Sequence, residues 1–216
     1  MQNKITGIIA PKGSGKTFTV CNLLRGARCF AVFDMLGEFQ YAKIADEVYS
    51  GTPRAFGKAL MQERFRIVYR PTVFLRDDSS NSGERVPEFE TFIDCCYLRG
   101  NMTCVIDEAH QLCSPHHCPE SLLVAIRLGR HRSLDIVYVT QSWSAVSRPL
   151  TAATDEFVFF KIIEPLDLQG IRNRCGEEVR DRVQGLRKLE QLPDGSAIPG
   201  QRLTWNVTEG MVSVTE

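Results

Sequence analysis

ITGIIAPKGSGKT, residues 5–17, runs from an apolar strand into a loop rich in Gly and Pro, and then into a helix start. Ile5 to Ala10 reads as a short buried strand. Ala10 to Thr17 fits the phosphate-loop (P-loop) pattern G-x-x-x-x-G-K-[ST], except that Ala10 stands at its first position, which mainly fixes the turn. Gly13 and Gly15 let backbone N–H groups turn inward around phosphate oxygens, at a helix N-terminus that already favours anions. Lys16 has the reach to meet β- and γ-phosphates, and the Thr17 hydroxyl suits Mg²⁺. The candidate nucleotide-binding segment is therefore Pro11, Lys12, Gly13, Ser14, Gly15, Lys16, Thr17 and Phe18. A chance GKT after a strand is the bland alternative, and the strand–loop–helix context argues against it.

Working outward, apolar runs alternate with helical patterns. Arg28 to Asp34 (RCFAVFD), Arg64 to Arg70 (RFRIVYR), Met102 to Asp107, Leu134 to Thr140 (LDIVYVT) and Glu156 to Ile162 (EFVFFKI) read as strands, with RFRIVYR near an edge. Helices are expected over Thr17–Arg25, Pro53–Gln62, from Pro87 with Phe89, Phe92, Ile93 and Cys96 on one face, over Pro119–Leu128, and through most of Leu166–Leu189. Thr72 to Val86 holds DDSSNSGER and reads as a surface loop. Several strands are apolar throughout, which requires cover on both faces. The expected fold is α/β, a P-loop NTPase with a mostly parallel central sheet and helices on both faces. Residues 1–190 are expected to form the ATPase domain. Residues 191–216, with Pro193-Asp194-Gly195 and the LTWNV run, are expected to form a small hairpin or tail packed on it.

Composition narrows the function. The 216 residues carry 26 Lys plus Arg and 26 Asp plus Glu, so no overall basic field announces a nucleic-acid partner and any such contact must use local patches. No signal peptide and no apolar run of about 20 residues is visible, so a soluble intracellular protein with no integral membrane segment is expected. Eight scattered cysteines read as free thiols in a reducing compartment.

The second half of a nucleotide site follows. MTCVIDE, residues 102–108, is an apolar strand ending in two carboxylates, about 90 residues after the P-loop. Asp107 suits Mg²⁺ held through water, and Glu108 is placed to polarise an attacking water. Gln141 ends the next strand, on the side that faces the ligand crevice of a parallel sheet, where it can sense a γ-phosphate. Arg127, Arg130 and Arg132 precede that strand. A guanidinium supplied across a subunit boundary would stabilise transition-state charge; a solvated surface cation is the alternative for each.

Four blocks now carry a resemblance: APKGSGKT; Asp34-Met35-Leu36-Gly37-Glu38-Phe39; CVIDEAH; and GRH followed by VYVTQ and Ser-Trp-Ser-Ala-Val-Ser. Their order and spacing over residues 5 to 162 resemble the HerA/FtsK family of RecA-like, additional-strand P-loop motor ATPases. The resemblance implies an ATP- and Mg²⁺-dependent translocase of double-stranded DNA, working as a homo-oligomeric ring, a pentamer or hexamer. It implies that Arg130 acts in trans and that Gln141 is the sensing amide. Glu38 becomes a second acidic candidate near the γ-phosphate. The small size is similar to genome-packaging ATPases of internal-membrane icosahedral viruses. That implies capsid portal-vertex partners and a place in the host-cell cytoplasm, with association with the virion during packaging. The alternative is a filamentous-phage-type virion assembly or export ATPase, and after it a P-loop small-molecule kinase, which would need an Arg-rich lid. A DEAH helicase, suggested by Asp107 to His110, would need a second RecA-like domain for which 216 residues leave no room.

Three further features have competing readings. His110, Cys113, His116, His117 and Cys118 have the chemistry of a Zn²⁺ site, but their spacing matches no standard knuckle, and a polar loop is the alternative. Arg172, Arg174, Arg180, Arg182, Arg187 and Lys188 suit DNA phosphates, but Glu177, Glu178 and Asp181 interrupt them as on a solvated helix face. Trp143 suits either stacking or packing.

Overall fold

A computed structural model of the chain describes residues 3–50, 53–72, 85–191 and 197–215. Its centre is a nine-stranded sheet. The strands and helices run β1 (Ile5–Ile9), α1 (Lys16–Leu24), β2 (Cys29–Phe33), α2 (Phe39–Ile44), β3 (Glu47–Ser50), α3 (Pro53–Ala59), β4 (Phe65–Arg70), α4 (Arg85–Arg99), β5 (Met102–Ile106), α5 (Ala109–Leu112), α6 (Glu120–Leu128) and β6 (Leu134–Thr140), with a 3-10 turn at Gly129–Arg132 before β6. There follow α7 (Arg148–Ala152), β7 (Glu156–Phe159), α8 (Pro165–Cys175), α9 (Glu177–Gly185), β8 (Glu190–Gln191), β9 (Ala197–Ile198), β10 (Arg202–Asn206) and β11 (Val212–Thr215).

The sheet order is β11-β10-β7-β1-β6-β5-β2-β4-β3. Seven strands from β7 to β3 are parallel, and β10 and β11 continue the sheet antiparallel beyond β7. β6 lies between the P-loop strand β1 and the acidic strand β5. Successive residues of each central strand feed opposite faces. Ile9, Phe33, Ile136 and Tyr138 enter a core with α3 to α9, whereas Ile8, Val32, Val137 and Val139 pack beneath α1 and Tyr41 of α2. The expected two-sided cover is present, and it explains why these strands are apolar without alternation.

Several local expectations change. RFRIVYR is one strand in from the edge, because the short, exposed β3 pairs outside it. Nothing apolar marked β3 or α2, whose only fully buried residue is Tyr41. β7 stops at Phe159 rather than running to Ile162. The helical stretch 166–189 is two helices, broken at Gly176. LTWNV belongs to the main sheet, pairing β7 through Trp205↔Phe157, while the separate small hairpin is β8 with β9. Pro193-Asp194-Gly195 and most of the polar loop 72–86 lie outside the described residues.

Gly7 shows why a glycine stands in the middle of β1. It pairs with Tyr138 of β6, and a Cβ there would overlap the Tyr138 hydroxyl. That ring is fully buried, with its hydroxyl 2.9 Å from Thr154 Oγ1. Gly7→Ala overpacks this site and should cost about 2 kcal/mol, roughly 6 °C in Tm by thermal unfolding. An unchanged Tm would mean that Tyr138 moves aside freely.

Candidate active site

The chain turns at the C-terminal ends of β1, β6, β5 and β2 bring the polar groups of the site together, as expected for a crevice in an open parallel sheet. After β1, Gly13 and Gly15 have φ of 76° and 93°, a backbone that a side-chain-bearing residue adopts only with strain. No other group would meet a Cβ at either glycine, so the loop is open on its ligand side. Ser14 Oγ donates to Pro11 O at 2.7 Å and ties the loop's flank. Lys16 is buried at the first position of α1; Thr17 is half-buried, and Lys12 and Phe18 are exposed.

After β5 come the two carboxylates, both fully buried. Glu108 sits at φ 49°, ψ 46°, a left-handed conformation that bulky residues seldom take outside functional sites. A buried carboxylate demands partners, and Glu108 has several. Lys16 Nζ forms an ion pair with its Oε1. Gln141 Nε2 donates to both oxygens, at 3.1 and 3.0 Å. His110 Nδ1 stands 3.4 Å from Oε2 and 3.5 Å from Thr140 Oγ1. Burial lowers the His110 pKa, opposed by the Glu108 charge and assisted by Lys16, so the imidazole is neutral at pH 7.

Asp107 differs. Its Oδ1 accepts the Glu108 N–H at 3.0 Å, but Oδ2 is buried with no hydrogen-bond partner. Burial first, and the Glu108 charge second, push its carboxyl up to about 7. An orphaned, desolvated carboxylate oxygen beside a phosphate loop is the donor chemistry a hard divalent cation completes. With the Thr17 hydroxyl, the residues present fit Mg²⁺ held by few protein ligands plus phosphate oxygens.

A third acid was legible only as part of a motif. Asp34, fully buried at the end of β2, accepts Gly37 N at 2.9 Å and Glu38 N at 3.0 Å on Oδ1, and Arg70 Nε at 3.0 Å on Oδ2. Arg70 Nη2 also donates to Glu38 O at 3.3 Å. This brace fixes the turn that presents Glu38. The signal available in the sequence was a charged residue ending each of two adjacent strands.

Arg130 lies elsewhere. It is exposed in the 3-10 turn before β6 and lines a crevice with Asn3, Lys4 and Asp155, at the opposite end of the sheet. The seven residues of β6 separate it from Gln141, about 20 Å along the strand. Arg130 therefore does not join the site of its own chain. Arg127 is exposed on α6, and Arg132 lies over the Tyr97 ring at 5.5 Å.

The Cys/His group is divided. His110 faces Glu108, Cys113 Sγ lies 3.2 Å from Cys118 Sγ and 2.8 Å from Ser147 Oγ, and His116 and His117 are exposed. Among the described residues, no three His, Cys, Asp or Glu side chains are placed to hold a metal ion. The basic residues of α8 and α9 are largely matched locally: Arg172 and Arg180 meet Glu177 at 3.6 and 2.9 Å, and Arg182 meets Glu178 at 2.6 Å. Trp143 packs against Phe157 and Phe159, with ring centroids 4.9 and 6.0 Å away.

No family profile matches the chain, and no curated protein matches it. Among solved structures, the genome packaging NTPase B204 from Sulfolobus turreted icosahedral virus 2, in complex with AMPPCP, superposes with a TM-score of 0.76 at 17% identity, over 99% of this chain and 97% of that one. VirB4 of Thermoanaerobacter pseudethanolicus gives a TM-score of 0.65 at 11% identity, over 99% and 89%. The cytoplasmic domain of the Type VII secretion ATPase EccC from Thermomonospora curvata gives 0.57 at 14%, over 98% of this chain and 25% of that one. At these identities the likeness is one of fold: the chain shares the α/β fold, with a mostly parallel central sheet, of these proteins. No helix among the described residues is long and apolar enough to cross a membrane.

The Asp107 environment makes a pH prediction. An aspartate with the ordinary value of 3.8 in the unfolded chain and about 7 in the fold keeps its proton longer when folded. The stability carried by the neutral carboxyl is full below about pH 4 and is lost as pH rises through about 7. In Mg²⁺-free buffer, Asp107→Asn should therefore gain stability over wild type between pH 5 and pH 8, by about 2–3 kcal/mol, roughly 8 °C in Tm. Parallel Tm profiles for the two proteins would refute the raised pKa.

Proposed function

We propose that the chain is an ATP-hydrolysing motor that translocates double-stranded DNA, in viral or proviral genome packaging. The observation that carries the hydrolytic reading is the meeting of Lys16, Glu108 and Gln141 around one buried carboxylate, beside an open phosphate loop. The packaging reading is supported by the whole-length likeness of fold to the genome packaging NTPase B204. On this reading residues 1–190 are the ATPase domain and 191–216 are packed on it. Its place is the host-cell cytoplasm, with portal-vertex proteins as partners.

The roles follow from the chemistry. The amides of Gly13 to Thr17 and the Lys16 ammonium hold the phosphates. Thr17 and Asp107 hold Mg²⁺, which when bound neutralises charge on the phosphate oxygens. Glu108 is the general base. Its carboxylate is exchangeable between Lys16 and a water, and Gln141 keeps both oxygens aimed while it does so. Glu38, presented by the Asp34–Arg70 brace, is a second carboxylate near the γ-phosphate. A small-molecule kinase would need an Arg-rich lid and a small acceptor, and its turnover would not respond to DNA.

Lys16 supplies the one cation built into this cluster. A motor site gains a second one when Arg130 of a neighbouring copy enters it, in a ring of five or six. The position of Arg130, far from its own site, suits donation to a neighbour.

Lys16→Ala should lower ATP turnover at least about 100-fold. Glu108→Gln should retain bound ATP while turnover falls about as far; wild-type turnover in that variant would rule it out as base. Arg130→Ala should lose turnover but keep nucleotide affinity. Mixed with Lys16→Ala it should recover activity in shared sites, and DNA-stimulated phosphate release reads both. Failure of the mixture to exceed either protein alone, at concentrations where rings form, would count against the trans role.

A further inference from the structure

Gln141 can hold both oxygens of Glu108 only if the backbone carrying it is fixed, yet β6 ends at Thr140 and regular structure resumes only at Arg148. Ser147 ties the far end of the intervening segment to Cys113, and three contacts lie close to Gln141. Thr140 Oγ1 donates to Ser142 O at 3.0 Å and accepts from Ser142 N at 3.3 Å. Trp143 fills the space above Gly170 of α8, where any Cβ would overlap its indole. The third contact is Asp167, in the first turn of α8. Its Oδ1 accepts Ser142 Oγ at 2.8 Å and Ser144 N at 2.9 Å.

Asp167 is only 3% exposed. A buried side-chain oxygen needs donors, and this one takes both of its bonds from the loop that carries Gln141. It also borders a cavity shared by Gln141, Ser142, Lys161 and Pro11 of the P-loop. The clamp therefore stands against the site, and it joins that site to α8, whose outer face carries Arg172 and Arg174.

We propose that Asp167 is the positioning residue for Gln141, and that the Gln141–Ser144 segment ties the state of the Glu108 site to helix α8. This rests on the ATPase reading. Gln141 touches Glu108, and Asp167 acts only through Gln141. Nucleotide affinity belongs to the P-loop and is independent of Asp167, so loss of the clamp falls on kcat.

The test uses Trp143 as its own reporter. The chain has two tryptophans, so Trp205→Phe leaves Trp143 alone. In that background, a non-hydrolysable ATP analogue with Mg²⁺ should change the Trp143 emission, and ADP should change it differently. Asp167→Ala should abolish the difference and lower kcat about 10- to 100-fold, the loss expected for hydrogen bonds to a charged group, with KM within about threefold. Asp167→Asn, whose carbonyl oxygen still accepts both bonds, should recover most of kcat. Ser142→Ala, which removes one bond only, should fall between and serves if Asp167→Ala does not fold. Wild-type kcat in folded Asp167→Ala, or an equal loss in the Asn and Ala variants together with weakened nucleotide binding, would overturn the positioning role. Normal binding and turnover with no Trp143 response would overturn the tie to α8. A wild-type protein that binds no nucleotide would overturn the ATPase reading itself, and this proposal with it.

Discussion

A buried carboxylate must be surrounded by donors, and Glu108 draws them from two other strand ends. Lys16 comes from the helix after β1 and Gln141 from the end of β6, while His110 of α5 stands 3.4 Å from Oε2. Removing any one leaves a buried charge short of a partner, which costs far more than the lost bond. The strands must therefore be neighbours in this order. With β6 between β1 and β5, the amide of Gln141 falls between the phosphate loop and the acid. Glu108 meets these partners from a left-handed backbone, at φ 49° and ψ 46°.

Around this centre the supports are ordered by distance. Next to Glu108, Asp107 keeps one oxygen unpartnered, and burial and the Glu108 charge raise its pKa. One strand further, Asp34 uses both oxygens to accept from Gly37, Glu38 and Arg70, and so shapes a turn. On the other side Asp167 shapes the turn after β6 through Oδ1 alone. Two buried aspartates thus serve as loop templates, whereas Asp107 keeps a buried oxygen without a partner.

Much of this was legible in the residues. Five of the parallel strands announce themselves as apolar runs, because cover on both faces removes any need for alternation. Lys16 was singled out by the P-loop pattern, and Asp107, Glu108 and Gln141 by strand-end positions; the structure brings Lys16, Glu108 and Gln141 into contact. What was hidden has physical causes. β3 and α2 carry little apolar pattern because they lie at the rim, where little is buried. LTWNV looked like part of a tail, although β10 is half-buried against β7, because pairing partners are set by the tertiary fold and leave no local mark. Asp167 sits in a polar helix start, where an acid is unremarkable by the helix dipole alone; only the contacts made 23 and 25 residues away distinguish it. The left-handed Glu108 likewise left no trace in sequence.

Charge completes the argument for a shared machine. A chain with 26 cationic and 26 anionic side chains has no long-range pull on DNA, and the arginines of α8 and α9 spend much of their charge on Glu177 and Glu178. A translocating motor gains from this, because each subunit must release its track once per cycle, and a strongly basic surface would hold on. Grip must then come from several weak contacts presented together, which is the property of a ring and lies beyond one copy. Arg130 points the same way. It stands about a strand's length from its own phosphate loop, and under the motor reading it would act on the site of a neighbouring copy. Under the motor reading, the requirement that couples subunits in catalysis and the requirement that multiplies weak DNA contacts are met by one assembly.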